Sequence, residues 1–228
     1  MGKFIDVQND YRFERKFRTN LATRQELIDR VLTNPALFRE QFSGRQINSV
    51  YLDTVDRQFM ADNLAGIASR RKPRFRWYGK NSIYADEPNL ELKIKQNMLG
   101  RKERFKAKGF LLNSPTFRTE LSSVVTDILF SNPHLEFLNV LEPTLLVTYF
   151  RRYFVSASGE YRVTIDSDLK FASMSNRGLN GAMCYEPRGE LIFEIKYGAT
   201  ASEQDRVLGS FGLRYSRCSK YVIGMLSV

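Results

Sequence analysis

The chain is poor in the residues that build most metal centres and nucleophilic triads. It has one histidine, His134 beside Pro133, and two cysteines, Cys184 and Cys218. A single histidine argues against His-rich metal sites and His-containing triads, and His134 reads as a surface loop or helix-end residue. Neither cysteine has CxxC or metal-ligand spacing, so both are expected to be free thiols in a reducing compartment. No apolar run approaches about 18 residues, so no membrane-spanning helix is expected. Met1 to Asp10 is polar, without the apolar stretch of a signal peptide. Acidic residues are the minority: 25 Asp and Glu face 35 Lys and Arg, for a net charge of +10. That excess points to an anionic partner, whether nucleic acid, a membrane surface or a phosphorylated small molecule.

What is present is a β-rich chain of 228 residues, 43% of them hydrophobic. Composition and length fit a single domain over residues 1–228, with a core from about 11 to 222. No repeat, low-complexity tract or linker divides it. Strands are expected at Tyr11–Thr19, Gln46–Asp53, Ser69–Gly79, Leu90–Gln96, Arg101–Lys108, Thr144–Ser156, Glu160–Asp168 and Glu190–Tyr197. Helices are expected after Thr23, after Thr54, over Thr116–Phe130 and after Ser202, with Ser219 able to cap a terminal one. Asn97–Gly100 reads as a hairpin connection, and Ser173–Gly189, broken by glycines and a proline, as a loop. The sum is an α+β fold.

Six segments carry charges two residues apart. They are Arg12–Lys16, Arg74–Arg76, Glu91–Lys95, Lys102–Arg104, Arg162–Asp166 and Glu194–Lys196. In a strand, residues i and i+2 face the same way, so each segment aims its charges at one side. The other sides carry apolar residues that amphipathic helices can cover. If the strands close into an eight-stranded antiparallel β-barrel with helices outside, the charges line its lumen. Such a lumen must hold water and counter-ions, since unpaired buried charge is costly. It would take a compact anion of high charge, and duplex nucleic acid would not fit. The alternative is that each segment is the solvated face of an ordinary sheet. Phe75 and Trp77 interleave with Arg74 and Arg76 as in single-strand stacking platforms, but alternation turns those rings away from the arginines.

Carboxylates recur among these cations: Glu14, Glu91 and Glu194 each precede a lysine by two residues. A hard divalent ion takes one or two carboxylates plus phosphate oxygens, so each is a candidate metal ligand. The alternative is a plain ion pair with a neighbouring Lys or Arg, which stands level with the metal role for Glu14 and Glu91.

The order Tyr11-Arg-Phe-Glu-Arg-Lys16, Ser49-Val-Tyr-Leu-Asp-Thr54, Arg71-Lys-Pro-Arg74-Phe-Arg76-Trp-Tyr-Gly79, Leu90-Glu-Leu-Lys93-Ile-Lys95, Arg162-Val-Thr-Ile-Asp166, Phe193-Glu194-Ile-Lys196 and Ser219-Lys220-Tyr resembles the VTC domain. This is the polyphosphate polymerase module of the vacuolar transporter chaperone complex, within the triphosphate tunnel metalloenzymes and related to CYTH proteins. The resemblance implies an eight-stranded triphosphate tunnel. It implies that Lys16, Arg74, Arg76, Lys93, Arg151, Arg162, Lys196 and Lys220 grip the triphosphate. Lys72, Lys95, Lys102 and Arg104 are expected as further phosphate contacts, and the resemblance matches Glu194 to the metal-binding glutamate. Glu14 and Glu91 stay open between metal and ion-pair roles. Arg12 stands where CYTH-type enzymes open with a glutamate, which favours the VTC branch and leaves fewer carboxylates for a second metal.

The expected activity is transfer of the ATP γ-phosphate to phosphate or a growing polyphosphate, with Mn²⁺ or Mg²⁺, in the cytoplasm. The chain shows neither the SPX domain nor the membrane segment that accompany the module in the eukaryotic complex, so separate proteins would supply regulation and a membrane route. A metal-dependent triphosphatase and a non-catalytic polyphosphate-binding module are the alternatives.

Overall fold

The alternation of charged and apolar residues becomes strand register in the computed structural model, which describes residues 12–20, 22–96, 99–185 and 189–228. The first half holds β1 (Arg12–Thr19), α1 (Arg24–Leu32), β2 (Arg39–Asp53), α2 (Gln58–Ala65), β3 (Arg70–Tyr78), β4 (Tyr84–Ala85), β5 (Asn89–Gln96), β6 (Leu99–Lys106) and β7 (Phe110–Leu111). There follow α3 (Phe117–Ser131), a 3-10 helix (Pro133–Val140), β8 (Glu142–Val155), β9 (Tyr161–Ser175), β10 (Gly178–Tyr185), β11 (Leu191–Gly198), α4 (Gln204–Gly209) and α5 (Lys220–Met225). The fold is α+β with one large, largely antiparallel sheet.

The expected eight-stranded barrel needs correction. Among the described residues nine strands form the main sheet, in the order β1-β11-β9-β8-β2-β3-β5-β6 with β10 on β9, and β4 and β7 pair separately. The order ends at β1 and β6, and no closed barrel is found among the described residues. Alternation fixes which side a residue faces but not which edge strands meet, so sequence pattern could not decide closure. The strand count differs because β4 and β7, two residues each, are too short to show a period. It differs also because β10 lies in the segment expected to be a loop. Gly178 opens β10 at φ 100°, where a Cβ would strike the Leu112 carbonyl, so this glycine enables a tight strand entry.

The chain groups into two compact units. One comprises the described part of Met1–Gly44 with Arg151–Ser167 and Glu190–Cys218; the other comprises Arg45–Phe150, Asp168–Gly189 and Ser219–Val228. Three of the six charged segments fall in each.

In the first unit, β11 lies between β1 and β9, with Lys16 opposite Glu194 and Glu194 opposite Thr164. The next row is Glu14, Lys196 and Arg162. The other side of these strands carries Phe17, Phe193, Ile195, Val163 and Ile165, all buried in one cluster with Leu27, Ile28 and Val31 of α1 and Val207 of α4. Helix α1 starts as expected: Glu26 N–H donates to Thr23 Oγ1 at 3.2 Å, and Thr23 N–H donates to the Glu26 carboxylate at 2.5 Å.

In the second unit, β3 lies between β2 and β5, and β6 pairs with β5. Tyr51, Arg74, Glu91 and Arg104 form one row across it, and Lys72, Lys93 and Lys102 form another. The reverse side buries Val50, Phe75, Trp77, Leu90 and Leu92 against Phe117, Leu121, Val124 and Ile128 of α3. Phe75 and Trp77 therefore pack in the core and are no stacking platform. Thr54 does not start α2 directly. The helix begins at Gln58, after Arg57 in the left-handed region at φ 61°. Strand β2 reaches back to Arg39, well before the expected Gln46, because its first half is exposed and lacks apolar alternation. Residues 97–98 of the expected hairpin connection lie outside the described residues, as do Tyr11 and the Lys95 side chain. His134 is exposed in the 3-10 helix, 3.7 Å from the Glu103 carboxylate.

Candidate functional site: two clusters of cations around buried carboxylates

In the first unit the centre is Glu194, 6% exposed. Its Oε1 lies 2.9 Å from Lys196 Nζ and its Oε2 3.4 Å from Lys16 Nζ. Lys16 also reaches Glu14 Oε1 at 2.7 Å. Burial alone would raise the Glu194 pKa, but Lys16, Lys196 and Arg151 outweigh it and hold the carboxyl well below its usual range. Burial likewise works against the Lys16 ammonium, and Glu194 and Glu14 overcome it and raise its pKa. Arg151 is clamped by Asp166, which is fully buried and accepts its Nε at 2.5 Å and its Nη2 at 2.7 Å. Arg162 is exposed, opposite Lys196. The alternating pattern thus brings Glu14, Lys16, Arg162, Glu194 and Lys196 onto one face, with Arg151 near enough to act on Glu194.

In the second unit the centre is Glu91, 3% exposed. Its Oε2 accepts Arg74 Nε at 3.0 Å and Nη2 at 2.7 Å, and Arg76 Nη1 lies 3.4 Å away. Its Oε1 accepts Lys102 Nζ at 2.6 Å, with Arg104 Nε at 3.3 Å. Four cations thus share one carboxylate. Burial would raise the Glu91 pKa, yet Arg74, Arg76 and Lys102 lower it to about 2. Lys102 feels the same crowding from the other side. Its burial comes first, and with repulsion from Arg74 and Arg76 it outweighs the pull of Glu91 and lowers the ammonium to about 8. Arg74 Nη1 donates to Tyr51 Oη at 2.9 Å, and Arg76 donates to Ser49 Oγ at 3.3 Å and Tyr149 Oη at 3.2 Å. Lys93 is exposed between Lys72 and Lys102.

Lys220 sits with its Nζ 4.6 Å from the Tyr149 ring centroid, at the start of α5. That helix is anchored from below. Tyr221 Oη donates to Asp53 Oδ2 at 2.5 Å, and the Tyr221 ring stacks on Tyr51 at 5.0 Å. Asp53 is fully buried and also accepts Thr54, Phe59 and Met60 N–H at 2.8 to 3.0 Å, which ties the entry of α2 to the same carboxylate. Lys72 Nζ donates to Ser219 Oγ at 3.3 Å, and Asn63 Nδ2 donates to it at 3.0 Å. Ser219 therefore holds polar side chains rather than capping α5, where no side-chain cap bond forms.

Sequence reasoning missed Asp53, Tyr221 and the clamp of Asp166 on Arg151. Asp166 carried a signal, two residues beyond Thr164 on the charged face. Asp53 and Tyr221 stand within the quoted Ser49–Thr54 and Ser219–Tyr221 motifs, but their pairing carried no signal, because they are remote from each other in the chain.

Among the described residues no group of three histidine, cysteine or carboxylate side chains is placed to hold a metal ion. Both Glu194 oxygens lie against lysines, with Glu14 on the adjoining strand. This donor set does not cage a resident ion. It fits an ion that arrives with phosphate, for which one or two protein carboxylates suffice. Glu91, with four cations on its two oxygens, has no edge left for a metal.

Comparison with curated proteins gave no match. Among solved structures, a candidate adenylate cyclase of Vibrio parahaemolyticus is 16% identical, with TM-score 0.52, covering 96% of this chain and 99% of that one. A candidate adenylyl cyclase of Hippeastrum, described as having a dominant triphosphatase activity, is 15% identical with TM-score 0.47, covering 94% of each chain. The first likeness supports the fold alone. The family model described as the VTC domain matches residues 11–228, nearly the whole chain, and the chain therefore belongs to the VTC domain family.

Proposed function

We propose that the protein is a polyphosphate polymerase-like phosphotransferase that takes the γ-phosphate of ATP and passes it to phosphate or to a growing polyphosphate chain. The observation that carries this reading is the four-to-one ratio of cations to carboxylate around Glu91. Glu91 keeps Arg74 and Arg76 in place but cannot neutralise the group, and phosphate oxygens supply the missing negative charge. Arg guanidinium pairs fit such oxygens bidentately. In this reading Lys93, Lys102, Arg104, Lys72 and Lys220 are the further phosphate contacts of the second unit, and Lys16, Arg151, Arg162 and Lys196 are the phosphate contacts of the first. Lys95 belongs with them by strand position, opposite Arg70.

Phosphoryl transfer needs positioning and charge stabilisation more than covalent chemistry. An oxygen of the acceptor phosphate attacks the γ-phosphorus in line. The bond from that phosphorus to the β–γ bridging oxygen breaks, and ADP leaves with the electron pair. The cations stabilise charge on the equatorial and leaving oxygens. A Mn²⁺ or Mg²⁺ ion entering with the substrate would rest on Glu194 and withdraw charge from the phosphate; Glu14 serves by keeping Lys16 oriented. In this reading residues 1–228 act as one module, in the cytoplasm where ATP is supplied, and separate membrane proteins carry any product across a membrane.

The test is incubation with ATP and Mn²⁺ and separation of products on a gel. Long polyphosphate is expected from the parent and is lost in Glu194→Gln and Arg74→Ala. Orthophosphate without polymer would replace this reading with a triphosphatase. Tight triphosphate binding without turnover would replace it with a binding module.

A further inference from the structure

Thr164 lies at the centre of the charged face of the first unit. It is directly opposite Glu194, with Arg162 and Asp166 two residues away on the same strand face. Its neighbours have partners: Glu194 holds two lysines, and Asp166 clamps Arg151. Thr164 does not. Its Oγ1 is buried and has no hydrogen-bond partner among the described residues. Buried hydroxyls are nearly always satisfied, so an orphan in the middle of a polar face calls for a ligand. Satisfaction from the side-chain carboxylate opposite is absent because both Glu194 oxygens turn to the lysines.

We infer that Thr164 Oγ1 is a second hard-oxygen donor, beside Glu194, to a divalent cation that arrives bound to phosphate. This rests on the phosphate-binding reading of the same face. Directly opposed residues of an antiparallel pair have Cβ atoms about 4.5–5.5 Å apart, close enough for both side chains to serve one ion. A threonine or serine hydroxyl fills this role for Mg²⁺ in phosphate-binding loops. It also answers why so few carboxylates surround the position: a neutral hydroxyl adds a ligand without adding negative charge that would repel the triphosphate. Lys16 and Lys196 hold the Glu194 carboxylate in the ligand-free protein, and an arriving ion would compete with them for it.

The experiment is calorimetry of tripolyphosphate binding to the intact protein, with Mn²⁺ and separately with a chelator, alongside thermal melting without ligand. The parent should bind more tightly with Mn²⁺ than without. Thr164→Val keeps the shape and removes the oxygen, so it should cut the Mn²⁺-dependent gain roughly tenfold or more. Its metal-free affinity should stay unchanged, and its melting temperature should stay level or rise, because an unsatisfied hydroxyl has gone. Thr164→Ser should keep the gain. An undiminished gain in Thr164→Val overturns the inference alone. So does a lower melting temperature with unchanged binding, which marks a structural hydroxyl, or weaker metal-free binding, which marks a direct phosphate contact. A parent that binds no tripolyphosphate under either condition overturns the phosphate-binding reading and the inference with it.

Discussion

At the residue scale, Glu91 decides the behaviour of its cluster. Its two oxygens gather Arg74, Arg76, Lys102 and Arg104, and removing its charge leaves those cations repelling one another. Arg104 is 62% exposed and Lys102 only 34%, so solvent tempers part of the loss; Glu91→Gln should cost about 1–3 kcal/mol in a denaturant titration. Tripolyphosphate should then recover more stability in the variant than in the parent, because it meets a larger charge deficit. Equal recovery would argue against phosphate taking up the excess charge. The acid response follows from the same carboxylate. Its folded pKa of about 2 lies below the ordinary 4.5, so its contribution is complete above 4.5 and is lost as pH falls toward about 2. Lys102 shifts down as well, but it is a base. It loses its proton as pH rises through about 8, and anion binding should weaken there. Lys102→Arg should remove that step in a pH series of tripolyphosphate affinities. A step of the same size in both proteins would assign it to another group.

At the scale of elements, alternation made the charged faces legible and non-local pairing hid their centres. Lys16, Glu194, Lys196 and Arg162 could be placed on strand faces from i, i+2 spacing alone. That Glu91 would collect Arg104 as well as Arg74 depends on β5 lying between β3 and β6, which spacing does not give. Strand β10 was hidden by its glycines, which favour a turn locally but here let the chain pass close to Leu112. The anchoring of α5 was equally hidden, since the helix is short and its hold comes from Asp53 on β2. That anchor should matter to Lys220. Tyr221→Phe removes the bond to Asp53 while keeping the ring on Tyr51. We expect a loss of about 1.5–3 kcal/mol in stability, as for a hydrogen bond to a charged group. Triphosphate affinity should fall in parallel with that in Lys220→Ala, and the double variant should be no weaker than Lys220→Ala alone. Additive losses in that cycle would separate Tyr221 from Lys220.

For the whole molecule, the basic surplus seen in composition resolves into two faces, each organised by a buried glutamate and each backed by its own apolar cluster. The glutamates differ in their surroundings. Glu91 is saturated by cations and is structural to its arginines; Glu194 sits opposite the unsatisfied Thr164 hydroxyl, and the proposed reading gives it the incoming ion. The expected barrel did not follow, but the faces it was meant to explain are real and belong to a VTC domain. The central claim is that these faces move the γ-phosphate of ATP onto phosphate. Phosphorus NMR of the protein with ATP and Mg²⁺ tests it most directly. The account predicts that the γ signal decays while the signal of internal, doubly bridged phosphates grows. A γ signal that persists, or that converts only to orthophosphate, would contradict it.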